Sequence, residues 1–252
     1  FHLSKICKKN SYTRKNIGYL LAAYKGSDII IETDDDNIPN KDFFKNIYLA
    51  KKTKEVSGNN WINIYMPFLK KKKIVWPRGL PLIKIFSKPK FKKKNISSKF
   101  YLQQGVCEGN PDVDAIYRLQ RDLPFSFKGW SSPASVFVLP GASFAPWNAQ
   151  ATLFRMRDAL WVSYLPISIH GRVSDIWRSY IAQRLLRNVC IHIAFAVEPL
   201  VVQHRNQHSY LADFDAEQDL YYKSGKLIEL LGEWTAKSSF PQEQIMELFR
   251  IL

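Results

Sequence analysis

A short apolar run that ends in three acidic residues restricts the fold of this chain more than any other feature. Residues 29–31 are three isoleucines, and a continuous run of this kind is typical of a strand covered on both faces, as in a parallel sheet. The spacing of apolar residues predicts one helix over 11–26, capped by Ser11, and a second over 41–54. A helix, a strand and a helix in succession favour an α/β architecture.

Three adjacent aspartates, Asp34, Asp35 and Asp36, follow the predicted strand. Because neighbouring carboxylates repel one another, the cluster costs free energy unless a cation occupies it. In an extended segment Asp34 and Asp36 point to the same side, and two such carboxylates suit Mg²⁺ or Mn²⁺ together with water and phosphate oxygens. The carboxyl ends of strands are also where α/β sheets bind ligands. The alternative is an acidic turn that the dipole of the next helix stabilises.

The first predicted helix begins with two cations, Arg14 and Lys15, followed by Asn16. Positive charge at this end opposes the helix dipole and costs about 0.3–1 kcal/mol per residue. An anion bound at the helix start would offset that cost, because free backbone N–H groups and both side chains would face it. Two solvated cations are the alternative.

The charge balance and the missing motifs narrow the classes of function. The 37 lysines and arginines exceed the 22 acidic residues by 15, which favours nucleic acid, phosphorylated ligands or anionic lipid headgroups as partners. Nucleic acid is the least favoured of these, because basic and aromatic residues are not interleaved in an RNA-binding pattern. The three cysteines lie far apart, which excludes a disulfide framework and a cysteine zinc site. P-loop, GxSxG, GxGxxG and HExxH motifs are absent.

The remainder of the chain is predicted to complete one domain over 1–252. Residues 69–99 hold two lysine runs and several prolines, which indicates an exposed basic loop region with a short hairpin at most. This region is either a solvated surface or a contact for phosphates or membrane lipids. We expect a helix over 175–188, a strand over 196–204 and peripheral helices over 216–252.

Two further groups of carboxylates are candidates for function. Asp175 is expected in the first turn of its helix after a capping Ser174, beside Arg172 and Arg178, where its simplest role is to stabilise the helix dipole. Asp112 and Asp114 form a second DxD pattern, after a turn and with no buried strand leading into it. That pair is either a structural or acceptor-side loop or a rival metal site.

Residues 104–115, 145–150, 172–178 and 205–211 form four blocks that, in this order, resemble the STELLO family of glycosyltransferase-like proteins. The motif Arg-Lys-Asn-Ile-Gly at 14–18, with the helix, strand and aspartates that follow, resembles the nucleotide-sugar half of the GT-A fold. Similarity to plant UDP-arabinopyranose mutases, the reversibly glycosylated polypeptides, is weaker. One difference from the STELLO pattern is Cys107, which stands where a tryptophan is expected.

The resemblance implies a metal-dependent glycosyltransferase with a nucleotide-sugar donor, expected to be a UDP-sugar. The fold expected from it is α/β, with a mixed, mostly parallel GT-A-like sheet flanked by helices. Because a GT-A domain opens with a strand that grips the nucleotide base, and no room precedes Ser11 for one, this N-terminal strand is expected to be missing from the chain. The site residues that the resemblance implies are Asp34, Asp36 and His208 for Mn²⁺ or Mg²⁺, and Arg14, Lys15 and Asn16 for the donor. It also implies that Asp175 is the catalytic residue, either as the general base that deprotonates the acceptor hydroxyl or as the group that holds this hydroxyl.

The acceptor implied by the resemblance is a glycan or protein of unknown identity. The resemblance also implies a Golgi location, a membrane anchor outside this chain and a place in a glycan-synthesis complex. A non-catalytic GT-A-like scaffold or partner-binding protein is the alternative to an enzyme.

Overall fold

One mixed β-sheet with helices packed against it forms the centre of the protein, which confirms the predicted α/β class. The computed structural model describes residues 2–41, 43–44, 53–57, 61–66, 74–87, 90–94, 102–123, 125–127, 136–139, 143–203 and 207–252. The strands are β1 Ile29–Thr33, β2 Ile38–Pro39, β3 Thr53–Ser57, β4 Lys90–Lys94, β5 Leu102–Glu108, β6 Val136–Val138, β7 Ala151–Arg155 and β8 Ile193–Val202. The helices are α1 Leu3–Ile6, α2 Lys15–Tyr24, α3 Ala115–Gln120, α4 Met156–Ala159, α5 Gly171–Asn188, α6 Tyr210–Ala216, α7 Gln218–Glu233 and α8 Pro241–Phe249.

The sheet is mixed, and the expectation of a mostly parallel sheet is wrong. Its order is β1-β7-β5-β8-β6-β3-β4, with β2 paired to β8. Among the described strands, only the β5–β8 and β3–β6 pairings are parallel. The reason is that β7 lies between β1 and β5 and runs antiparallel to both.

Strand β1 lies at one end of this order and is not covered on both faces. Ile30 and Glu32 are buried, whereas Ile29 is 43% exposed. The apolar run therefore predicted the strand correctly but not its environment, because an antiparallel strand at the end of a sheet can leave one face open to water.

The strand directions bring several chain segments to one edge of the sheet. Strands β1, β5 and β8 run the same way, and β7 runs against them. The carboxyl ends of the first three and the amino end of β7 therefore meet. The segments that reach this edge are 34–37, 109–114, 148–150 and 203.

The first predicted helix is confirmed, and the second is not. A 3₁₀ turn at Tyr12–Arg14 leads into α2, and Ser11 caps it by accepting a hydrogen bond from the Thr13 N–H at 3.4 Å. Of the helix expected over 41–54, residues 53 and 54 instead begin β3. Residues 42 and 45–52 lie outside the described residues.

The basic region at 69–99 is only partly the exposed loop that its composition predicts. Val75, Trp76, Arg78 and Leu80 are each at most 5% exposed, because the apolar residues between the two lysine runs join the core. Residues 90–94 form β4, which pairs with β3. Residues 67–73, 88–89 and 95–100 lie outside the described part.

The longest helix, α5, packs beside the sheet and begins at the same edge. Its buried face includes Ile176, Tyr180 and Leu185, and α7 packs against it. It starts at Gly171, four residues before the predicted start, because His170 and not Ser174 is its N-cap. No helix in the described ranges is long and apolar enough to cross a membrane.

Candidate functional site

A cleft of about 1130 Å³ opens at the edge where the strand ends meet. It is bordered by the aspartate segment after β1, by the start of α2 and by the start of α5. The cleft collects most of the candidate residues: Arg14, Lys15, Asp34, Asp36, Asp112, Asp175 and His208 line it, whereas Asn16 and Asp114 do not.

The three aspartates lie in a reverse turn and not in an extended segment. The Asn37 N–H donates to the Asp34 carbonyl oxygen at 3.2 Å, which closes the turn. Asp34 and Asp36 both still line the cleft. One oxygen of Asp36 accepts a hydrogen bond from the Gln203 amide. Its other oxygen, Oδ1, is buried and has no hydrogen-bond partner among the described residues.

Lys15 binds the first of these aspartates directly. Its ammonium lies 2.5 Å from Asp34 Oδ1 and donates to the Ala149 carbonyl oxygen at 2.8 Å and to the Tyr12 hydroxyl at 3.3 Å. Burial raises the pKa of Asp34 above its ordinary value, and the Lys15 charge opposes this shift. The lysine predicted to contact a phosphate is thus the counter-ion of a predicted metal ligand.

The other two residues at the start of the helix differ in their roles. Arg14 is exposed at the cleft, and its guanidinium donates to the Cys7 carbonyl oxygen at 3.3 Å. Asn16 is 2% exposed, and its side-chain amide donates to and accepts from the backbone of Leu165, at 2.8 and 2.7 Å. Because both polar atoms of its side chain bond to Leu165, Asn16 is not among the donor contacts that we propose below.

Asp175 is buried at the floor of the cleft in contact with Arg78. The guanidinium donates to both carboxylate oxygens of Asp175, at 3.0 and 2.8 Å, and to both oxygens of Asp112, at 2.7 and 2.9 Å. Asp175 also accepts from the Ala149 N–H at 3.2 Å. Burial would lower the pKa of Arg78, but the two carboxylates outweigh it and raise that pKa well above the ordinary value.

The predicted surroundings of Asp175 are wrong in two respects. Asp175 is the fifth residue of α5 and so lies beyond its first turn. Its predicted neighbours are paired elsewhere: Arg172 binds Glu217, and Arg178 binds Glu32 at 3.0 Å. The first error follows from the earlier start of α5. The second follows because Glu217 and Glu32 lie far from these arginines in the sequence, so no local spacing reveals the pairs.

The second DxD pattern is divided between two roles. Asp112 faces the cleft and binds Arg78, and although burial raises its pKa, Arg78 outweighs this and lowers it overall. Asp114 caps α3: its oxygens accept from the Tyr117 N–H and from the Trp76 indole N–H, each at 2.7 Å. The two carboxylates therefore do not form a shared metal site, and the structural alternative fits Asp114.

His208 lines the cleft but is bonded to an acidic residue of its own segment. Its Nδ1 lies 2.6 Å from Asp213 Oδ2. Across the ranges that the structure describes, no three histidine, cysteine or acidic side chains come together as a ready metal site. Two carboxylates, one of them with an unpartnered oxygen, nevertheless fit a hard cation whose remaining ligands are water and phosphate oxygens.

Sequence reasoning missed three of the residues that shape this cleft: Arg78, Arg118 and Gln203. Arg78 stands in the sequence Pro-Arg-Gly at 77–79 within the region predicted to be an exposed loop. The proline and the glycine on either side of Arg78 were the only sequence signal that this position lies in a defined turn. Gly79 has a φ of 89°, and a Cβ there would lie 2.3 Å from an Ile176 methyl carbon, so only glycine lets this turn approach α5 closely.

Comparisons with known proteins agree with the sequence motifs. Residues 172–251 match the family model of the STELLO glycosyltransferases. Probable glycosyltransferase STELLO2 of Arabidopsis thaliana is 30% identical over 95% of this chain and 33% of its own length. Probable glycosyltransferase STELLO1 of the same plant is 28% identical over 95% of this chain and 32% of its own length.

The chain spans about a third of the length of these relatives. The resemblance stated from the sequence blocks is confirmed: over nearly all of its length, this chain is a relative of the STELLO glycosyltransferases.

Proposed function

We propose that the cleft is the donor site of a metal-dependent glycosyltransferase that takes a sugar from a nucleotide-sugar, expected to be a UDP-sugar. The observation that carries the proposal is the buried Oδ1 of Asp36, which has no partner among the described residues and lies beside Asp34 in the lining of the cleft. A buried carboxylate oxygen without a partner is costly unless a ligand satisfies it. In a relative of glycosyltransferases, Mn²⁺ or Mg²⁺ with the donor diphosphate is such a ligand.

Asp34 and Asp36 are the residues that would hold the metal. Two carboxylates leave the rest of an octahedral shell to water and to the diphosphate. A divalent cation bound there would supply Lewis-acid chemistry, by stabilising negative charge on the departing nucleoside diphosphate. We leave His208 outside the ligand set, because its bond to Asp213 engages it elsewhere.

Two cations of the chain would assist at the diphosphate. Arg14 is exposed at the cleft, and Lys15 lies at the start of α2, so both add positive charge beside the phosphates. Lys15 also opposes the effect of burial on the pKa of Asp34, which favours the ionised form that a metal requires.

Asp175 is proposed to position other groups of the cleft and not to remove a proton. Its side chain is 1% exposed, and its oxygens accept hydrogen bonds from Arg78, from the Ala149 N–H and from the Ile176 N–H. A general base needs to reach the proton that it takes, whereas these bonds hold the carboxylate inside the protein. The positions of Arg78 and Ala149 depend on it.

A non-catalytic GT-A-like scaffold is the second candidate. The direct Lys15–Asp34 ion pair favours it, because the pair already neutralises one proposed metal ligand without any cation from solution. The acceptor, glycan or protein, is unassigned under either function. From the family resemblance alone, we also propose a Golgi location, a membrane anchor outside this chain and a place in a glycan-synthesis complex.

The test measures UDP binding and UDP-sugar hydrolysis with Mn²⁺ in the Asp34→Asn/Asp36→Asn variant. Loss of an outer-shell partner of a metal already costs about 10–100-fold in affinity or activity, so loss of both ligands should cost at least as much. Asp35→Asn is the matched control, since Asp35 is an exposed neighbour that is not a proposed ligand. Undiminished hydrolysis in the double variant contradicts the metal role, and absence of UDP binding by the unmodified chain favours the scaffold.

A further inference from the structure

We propose that the cleft contains a second oxyanion subsite, built from Arg118 of α3 and the start of α5, which binds a carboxylate or phosphate group of the acceptor. The inference rests on the proposed function in one respect, namely that the other occupant of the cleft is the nucleotide-sugar donor. It adds the chemical class of the acceptor, which neither the family resemblance nor the metal site specifies.

Arg118 is a buried arginine that lines the cleft, and its hydrogen-bond partners among the described residues are neutral. It is 4% exposed. Its Nη1 donates to the side-chain oxygen of Asn110 at 2.6 Å, and its Nη2 donates to the Pro111 carbonyl oxygen at 3.3 Å. The third donor group, Nε, has no partner among the described residues.

No carboxylate of the described chain forms an ion pair with this guanidinium. Asp112, Asp213 and Glu217 act on it from a longer distance. Each already pairs with another arginine: Asp112 with Arg78, and Asp213 and Glu217 with Arg172. Burial, followed by repulsion from Arg172, lowers the pKa of Arg118. A buried charge without a counter-ion is costly, and a bound anion would remove that cost.

The start of α5 adds positive potential at the same part of the cleft. His170, Gly171 and Arg172 line the cleft, and the helix that begins there is 18 residues long. The N-terminus of such a helix carries a partial positive charge that favours anions. The buried arginine and the helix start therefore act on one ligand group in the same direction.

Among the described residues, Arg118 shares no hydrogen bond with the proposed donor contacts, since its partners are Asn110 and Pro111. One series of bonded neighbours leads from Lys15, which binds Asp34, to Arg118. In order, these are Ala149, Asp175, Arg78, Asp112 and Pro111. The occupant that fits a separate contact of this kind is an acceptor next to the donor.

The test titrates three sugars into the full chain saturated with UDP and Mn²⁺, with binding measured by calorimetry. Glucuronate carries a carboxylate, glucose 6-phosphate carries a phosphate, and glucose is the neutral control. We expect one or both anionic sugars to bind at least about tenfold more tightly than glucose, because hydrogen bonds to charged groups are the stronger ones. The anion that binds more tightly identifies which group the acceptor carries.

Asn110→Asp is the decisive variant. It places a carboxylate of the same shape beside Nη1 of Arg118 and so supplies the missing counter-ion from within the protein. We expect binding of the anionic sugar to fall at least about tenfold, UDP binding with Mn²⁺ to be retained, and resistance to urea to increase. Lys226→Gln, which removes an exposed charge on α7 outside the cleft, should change none of these.

Three outcomes would overturn the proposal. The first is that no anionic sugar binds more tightly than glucose. The second is that Asn110→Asp binds the anionic sugar as well as the unmodified chain does. The third is that Asn110→Asp loses UDP together with the sugar, which would mean that Arg118 serves the donor diphosphate. Failure of the metal site has a different signature, since the Asp34→Asn/Asp36→Asn variant would then still bind UDP with Mn²⁺.

Discussion

The guanidinium of Arg78 spans the gap between Asp112 and Asp175 and donates to both oxygens of each. The three side chains come from a turn before the 3₁₀ segment at 82–84, from the loop after β5 and from α5. All three are at most 8% exposed. This network therefore joins three separate parts of the chain beneath the cleft, and its integrity determines the shape of the cleft floor.

Replacement of Arg78 by methionine should destabilise the protein strongly. The change leaves two buried carboxylates without their common partner, and loss of one member of a buried ion pair costs about 3–5 kcal/mol. Unfolding in urea, followed by circular dichroism, measures the loss. Lys223→Gln is the control, since the exposed Lys223–Asp219 pair should contribute about 0–1 kcal/mol. Equal, small losses in both variants would show that the network is not a stabilising element.

The same variant should also unfold at higher pH than the unmodified chain. Arg78 lowers the pKa of Asp112 below its ordinary 3.8. A depressed carboxyl pKa contributes stability that is present above the unfolded pKa and is lost as the pH falls through the folded pKa. Without Arg78 the largest of the effects that lower the pKa of Asp112 disappears while burial still raises it, so the midpoint of acid unfolding should move upwards. An unchanged midpoint would contradict this assignment.

Asp114 should make stability depend on pH in the opposite sense. Burial raises its pKa from 3.8 to about 6, so the folded state holds a proton that the unfolded state releases. Stability from this group is fully present below about pH 4 and is lost as the pH rises towards 6, by about 2–3 kcal/mol in total. Asp114→Asn removes the titrating group. The difference in unfolding free energy between variant and unmodified chain should therefore shrink between pH 4 and 7, and a constant difference would refute the assignment.

The elements that could be predicted from the sequence are those with strong local signals. The isoleucines at 29–31, the cap at Ser11 and the apolar face of α5 each depend on a few neighbouring residues, and the structure contains the corresponding elements. The direction of β7 and its position between β1 and β5 could not be predicted. The β1–β7 pairing joins Ile29 to Arg155, and the β5–β7 pairing joins Leu102 to Phe154, and no local pattern reports such distant pairs.

The candidate site was predictable in part for the same reason. Asp34, Asp36 and Lys15 lie in segments with recognisable patterns and do meet in one cleft. Arg78 and Arg118 are isolated basic residues whose importance arises only from burial and from partners distant in the chain. In a chain with 37 basic residues, nothing local distinguishes these two from the solvated ones.

A second buried ion pair, Arg178 with Glu32, offers a test of coupling within the core. Arg178 lies 3.0 and 3.1 Å from the two carboxylate oxygens, and both residues are at most 4% exposed. Each single variant, Glu32→Gln and Arg178→Met, should cost about 3–5 kcal/mol in urea unfolding. The double variant should cost less than the sum of the two by about 0.5–3 kcal/mol, because neither charge is then left alone. Strict additivity would show that the pair is not coupled.

Lys15→Met should change the affinity for metal alone and the affinity for metal with nucleotide in opposite directions. The Lys15 ammonium lies 2.5 Å from Asp34 and competes with any cation for that carboxylate. Its removal should therefore tighten the binding of Mn²⁺ alone by about three- to tenfold, measured at pH 8, where the raised pKa of Asp34 matters least. The binding of UDP in the presence of Mn²⁺ should weaken by a similar factor, because the diphosphate loses a charged donor.

Lys25→Met is the control for this pair of measurements. Lys25 is an exposed lysine at the end of α2, outside the cleft, so its loss changes the net charge equally without touching the site. It should leave both affinities within about twofold, since charges beyond a Debye length are largely screened. If Lys15→Met weakens Mn²⁺ and UDP alike, Lys15 acts only by holding the cleft in shape. If Lys15→Met strengthens the binding of both Mn²⁺ and UDP, Lys15 weakens the binding of both ligands in the unmodified chain. The scaffold function then gains support, because an enzyme would carry a cation that opposes its own substrate.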